Sequence, residues 1–452
     1  MLHVDLKDSF HLRITRELGD FPEHSFDACL FVPGELALTP EVLEERVFYQ
    51  QGIQIHRTYQ STATLEPLVR SRLIRRMSRE KGRPDPQYRL SMSLYGFQYV
   101  TAMEQAVHKI LQGDKQDLRG ELGELIELSS TILGRLRRNR PEDGTLALYF
   151  TNIDNYVSWL TEQQFLKLAA ELEFQENELD LKELLMRIAR REAKYRDDLE
   201  YNSVRVSQDS IRMSNKMRLL RRLLEHPVSM RRVGIELGER EQKLLRAGVT
   251  AVVMSCVSFL VLRTRDVLGD ITAIFLLVLA LLYAVRELFR EDLQKKLWNW
   301  LRKGRPKWRY QFIDVNSEQT VGTALEWFDY KKFEDLPEHI RSARHSSTQQ
   351  REETVIRFRS YSKMLPARFL SGYAGTRETI TFDMSLLQPL MNQSTYPLYK
   401  LQDGQVERED VERRYVFNLV TCERVGGKKE SIQRWKVTMN YSRIISVEPS
   451  DT

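Results

Sequence analysis

Cysteine is scarce: the 452-residue chain holds three, Cys29, Cys256 and Cys422, far apart and in no CxxC pair. An odd, scattered set argues against both a disulfide framework and a structural zinc site, and fits a reducing compartment. The opening residues, Met-Leu-His-Val-Asp-Leu-Lys-Asp, carry charge early and have no apolar core, so a cleavable signal peptide is not expected. No GxxxxGK[ST] phosphate loop occurs. Gly426-Gly427-Lys428-Lys429 lacks that spacing and reads as a hairpin turn, where glycine supplies a positive φ. The histidines form no HExxH or His-x-His pattern, and no GxSxG elbow is present. His339 and His345 lie in a polar stretch and are expected at the surface. Cys29, near His24 and Asp27 in sequence, is expected to be a buried strand cysteine rather than a nucleophile. These absences leave no residue assigned to catalysis, cofactor binding or metal ligation, and no cofactor is expected.

Excess charge is also small. The formal net charge is +6 and the pI about 9.0, short of the basic density of a dedicated nucleic-acid binder. With 42% hydrophobic and 29% charged residues the composition is globular, and a mean hydropathy of −0.45 confines any membrane part to a small segment.

That segment is plain. Residues 247–262 (AGVTAVVMSCVSFLVL) and 271–285 (ITAIFLLVLALLYAV) contain no charge. Each run is slightly short of the ~20 residues needed to cross a ~30 Å core. Leu244 and Leu245 lengthen the first, and Val267 and Leu268 the second. The expectation is a two-helix transmembrane hairpin, with helices at 244–262 and 267–285 and a turn at 263–266. Cations crowd both outer flanks, whereas the turn holds only Arg263 and Arg265 beside Asp266 and Asp270. By the positive-inside rule both termini are expected in the cytoplasm of a multi-pass inner (plasma) membrane protein. Ala247, Ala251, Ser255 and Ser258, with Ala273, Ala280 and Ala284, form small-residue stripes expected to pack the helices together, or to join copies in a homo-oligomer. Residues 286–307 read as a basic amphipathic juxtamembrane segment. There Arg246, Arg286, Lys295, Lys296, Trp300, Arg302, Lys303, Arg305, Lys307 and Trp308 are expected to contact anionic phospholipid headgroups.

The rest is expected to be α+β. Residues 1–243 read as mixed, then mainly helical; His11–Leu18 and Phe26–Val32 are candidate strands. Residues 308–452 read as a mostly antiparallel β domain. There Ile356/Phe358, Ile380/Phe382 and Trp435/Val437/Met439 alternate with polar neighbours. Arg357, Arg359, Arg434 and Lys436 fall at the alternate positions and form a candidate basic binding face.

Two sizeable soluble parts, one minimal anchor and no catalytic motif suggest a membrane-anchored scaffold or regulatory protein with protein partners, from a bacterial inner membrane. The alternatives are a membrane-permeabilising effector with cytosolic sensor domains, and a membrane-tethered enzyme whose site leaves no motif. Nucleic acid is not an expected partner.

Overall fold

Two periodicities build the molecule, one of two residues and one of 3.6. The structure, a computed structural model, describes residues 2–60, 64–70, 85–113, 118–142, 144–174, 179–268, 273–302, 304–344, 353–402, 405–426 and 430–450 (backbone alone at 85–86, 264–268, 273–275, 278–279, 282, 285, 288 and 299). It is a mixed fold of helix and antiparallel sheet. The early strands are β1 Leu2–Leu6, β2 His11–Glu17, β3 Glu23–Val32 and β4 Ile53–Gln60. Those in the middle are β5 Met230–Glu236, β6 Trp308–Asp314, β7 Thr320–Lys332 and β8 Thr354–Met364. Then come β9 Gly375–Asp383, the arm β10 Thr395–Gln402 and β11 Gln405–Glu412, and β12 Tyr415–Val425, β13 Ser431–Met439 and β14 Ile444–Ser450.

Eight strands form one sheet, ordered β14-β13-β12-β3-β8-β7-β6-β5, and four form a second, β1-β2-β9-β4. The inward residues of both sheets, among them Phe26, Leu30, Ile356, Phe358, Ile380, Phe382, Phe417 and Val437, share one core, so the sheets pack as a sandwich. The sheets also meet at their edges, through the Thr58–Ser229 bridge and the bond from Ile444 N–H to Ser9 O at 2.7 Å. The hairpin read from Tyr415–Leu419 and Trp435–Tyr441 is present, with Phe417 opposite Val437.

Division of the chain at the hairpin does not separate the sheet in space. β3 comes from the first sixty residues, yet it lies between β8 and β12. The helical part is an insertion between β4 and β5: α1 Asp85–Gln112, α2 Leu118–Arg138, α3 Gly144–Glu171, α4 Leu179–Asp198 and α5 Ser210–Glu225. Its apolar core (Tyr95, Phe150, Phe165, Leu185, Leu224) continues into the end of the sandwich at Phe312, Val321 and Met364. α5 starts where Asp209 Oδ1 accepts bonds from the N–H groups of Ile211 and Arg212, at 2.9 and 3.1 Å. Inside the bundle, Arg137 bonds Asp154 and Glu192, and Arg196 bonds Glu162 and Ser158.

The sandwich interior also holds charge. Arg16 and Arg57 both bond Glu378, and all three side chains are buried. His24 is buried beside them. Burial first, then the Arg57 and Arg16 guanidiniums, lower its imidazole to about 4 from the ordinary 6.5. The folded chain therefore refuses a proton that the unfolded chain accepts below about 6.5. Stability is expected to fall as pH drops from 6.5 towards 4. Urea midpoints measured across that range should show the fall, and His24→Gln should flatten it.

Candidate membrane anchor

α6 Glu239–Leu268 and α7 Ala273–Arg302 form the second insertion, placed between β5 and β6. These two strands pair directly, Glu236 opposite Trp308, so the chain leaves and rejoins the sheet at one place. Residues 263–266, read as a turn, are helical: α6 continues to Leu268, because nothing in Arg263-Thr264-Arg265-Asp266 breaks a helix. Residues 286–302 continue α7 without interruption and pack against α6 rather than forming a separate surface helix.

Among the described residues, one helix is long and apolar enough to cross a bilayer by length and composition, over Glu239–Arg263. The described part of α7 has residues 273–285 before Arg286, Glu287 and Arg290, and among the described residues it does not reach the ~20 of a full crossing. Pairing sharpens the contrast. Gln294 Nε2 reaches Thr250 Oγ1 at 3.5 Å, Arg286 Nη1 reaches Met254 Sδ at 3.4 Å, and Arg305 meets Glu241 at 3.7 Å. In that register the charge-free run of α6 lies beside the stretch of α7 holding Arg286, Glu287, Arg290, Glu291, Asp292, Lys295 and Lys296. The layer in which both helices are uncharged is one to two turns deep, roughly 5–10 Å, against a hydrocarbon core of ~30 Å. The hairpin is present as a helical pair, and among the described residues one of its two helices has the length and composition of a membrane span.

The seam also differs from expectation. Ala247, Ala251, Ser255 and Ser258 are exposed on α6, as are Ala280 and Ala284 on α7. The side chain of Ala273 lies outside the described residues. Among the described residues of α6, Val249 (5% exposed) and Val257 (8%) are buried. Long side chains on α7, Gln294 and Arg286, reach across this seam to Thr250 and Met254. The outward face is apolar, with Val252 and Phe259 each 61% exposed.

Of the expected lipid contacts, Arg246, Lys295, Lys296, Arg305 and Trp300 are exposed. Arg286 is half-buried between Met254 and Glu287, and Arg302 lies over the Trp298 ring. Lys303 falls outside the described residues. Two expectations are overturned. Trp308 is buried in β6, stacked on Tyr49 with ring centroids 3.7 Å apart, and Lys307 is held by Glu45 at 2.6 Å and Asp329 at 3.0 Å. Neither is free for a headgroup.

Two of the four cations of the proposed basic face are paired in the same way. Arg357 pairs with Asp27 at 2.5 Å, and Arg359 lies 3.9 Å from Asp329 and over the Trp327 ring. Arg434 bonds Asn418, and Lys436 is exposed. The carboxylates sit on β3 and β7, strands paired with β8. Sequence reasoning missed them because alternation within one strand shows nothing of its neighbour.

A second buried network joins Tyr49, Glu326, Arg232 and Tyr310 beneath the β5–β6 corner. Burial pushes the Glu326 carboxyl up despite Arg232 at 2.5 Å. It ties the strand that leads into α6 to the core. The arm β10–β11 forms a separate two-stranded sheet and exposes Tyr399, Leu401 and Val406. No family model, curated protein or solved structure matches this chain.

Proposed function

We propose that this chain is a membrane-anchored scaffold or regulatory protein, holding its sandwich and helical bundle at the inner membrane surface, where they bind protein partners. The observation that carries this reading is the outward apolar face of α6, presented on an insertion that leaves the sandwich core intact. Pairing of β5 with β6 supports two crossings or none, because an excursion that starts and ends at one sheet edge must return to it. Both termini then stand on the sandwich side, and the flanking cations favour the cytoplasm for that side. Arg246, Lys295, Lys296 and Trp300 are the residues placed at anionic headgroups. The β10–β11 arm is the surface assigned to partners, since a lone two-stranded ribbon offers free backbone edges and apolar side chains.

The charged stretch of α7 beside the apolar run of α6 favours a second reading, a permeabilising effector. Several copies could turn α6 to lipid and α7 to an aqueous interior. Overexpression separates the two. A scaffold is expected to sediment with carbonate-washed membranes and leave vesicles tight to a trapped dye. A version with residues 239–302 replaced by a short turn should stay in the supernatant. Dye release by the full chain supports the effector, and a soluble full chain ends both readings.

A further inference from the structure

We propose that His339, Cys422 and Glu430 form a zinc site that fastens a short helix to the outer face of the large sheet. The helix is α8, Glu338–Arg344. Ile340 and the preceding Leu336 are buried against Cys29, Phe31, Val355, Val420 and Cys422. That packing sets His339 above β12. Cys422 sits in β12 opposite Ile432 of β13, and Glu430 lies just before β13 begins. One donor atom from each of the three lies within 4.8 Å of the others.

The donor set selects the metal. A thiolate, an imidazole and a carboxylate are together the ligands of Zn²⁺, bound tetrahedrally at about 2.0–2.3 Å. Calcium and magnesium call for oxygen shells and have no use for sulfur. Three protein ligands leave a fourth position for water. Thiolate and carboxylate would also balance the dication, so the site stays neutral beside the Arg357–Asp27 pair. Arg424 competes for Glu430 only across 3.9 Å, a weak half-exposed contact. Burial, ahead of the nearby carboxylates, pushes the Cys422 thiol up to about 12. A reactive nucleophile would show the opposite trend. The sequence concealed the trio because its ligands come from a helix, a strand and a loop, with no motif spacing.

Cobalt(II) tests the assignment. The full chain, stripped with chelator, should bind one equivalent and develop the visible absorption of tetrahedral cobalt with a near-ultraviolet thiolate charge-transfer band. Cys422→Ser should abolish the charge-transfer band. His339→Ala, at an exposed position that leaves folding intact, should abolish the tetrahedral spectrum. Cys29→Ser and Cys256→Ser should change neither. No tetrahedral spectrum in the full chain, or one that survives Cys422→Ser or His339→Ala, overturns the site.

Discussion

Replacing Glu378 with glutamine is expected to destabilise the chain by about 3–5 kcal/mol, the cost of breaking a buried ion pair from one side. Glu378 lies between Arg16 and Arg57, whose guanidiniums also stack over Phe26 and Phe312 at 4.4 and 4.5 Å. Burial alone would raise its carboxyl; Arg57 and Arg16 outweigh that and hold it at about 2. Glutamine removes the charge that compensates two buried cations, and among the described residues Arg16 alone of the two has a second paired carboxylate, Glu423 at 3.3 Å. By contrast, Lys400→Ser, which breaks the exposed Lys400–Glu409 pair on the arm, should cost less than about 1 kcal/mol. Urea unfolding followed through Trp308 and Trp435, both in the sandwich core, measures both variants. Equal midpoints would show that the triad does not hold the two sheets together. The triad bridges β2, β4 and β9 of the small sheet towards Ser362 of β8 at 3.1 Å. The triad thus links the small sheet to the large one through a polar contact within the sandwich.

What the sequence disclosed was local. Alternation at 356–359, 380–383 and 434–439 placed β8, β9 and β13, and the uncharged runs placed the bodies of α6 and α7. What it hid was pairing. Arg357 and Asp27 are 330 positions apart, and Arg16 and Glu378 are 362 apart. No periodicity within either segment reports that they meet. The same blindness made Arg357 and Arg359 look like a basic surface, when the neighbouring strands carry their counter-charges. It also made Trp308 look interfacial, because its spacing belongs to the end of a helix in sequence and to the start of a strand in space. The hairpin shows the limit from the other side. Each run was legible as apolar, but the register between them was not, and the register decides at what depth the charges of α7 lie.

Substituting Val252 and Phe259 of α6 with aspartate should detach the chain from membranes while leaving it folded. Both side chains are 61% exposed, so in water the change removes little packing and should shift stability by no more than about 0.5 kcal/mol. In lipid the same carboxylates are costly, about 2.5–3.5 kcal/mol each at a helix centre. Together they should lower the membrane partition constant by about four to five orders of magnitude, since 1.4 kcal/mol is tenfold. Val249→Asp at the buried seam is the contrasting variant. It should disrupt the α6–α7 pair whether or not lipid surrounds it, and so lower stability in water as well. Flotation on vesicles containing anionic lipid reads the first effect and urea unfolding the second. If the double aspartate variant floats as the unaltered chain does, the outward face of α6 is not what meets the membrane. The apolar surface would then be covered by protein, and the charged stretch of α7 would need no shelter from lipid.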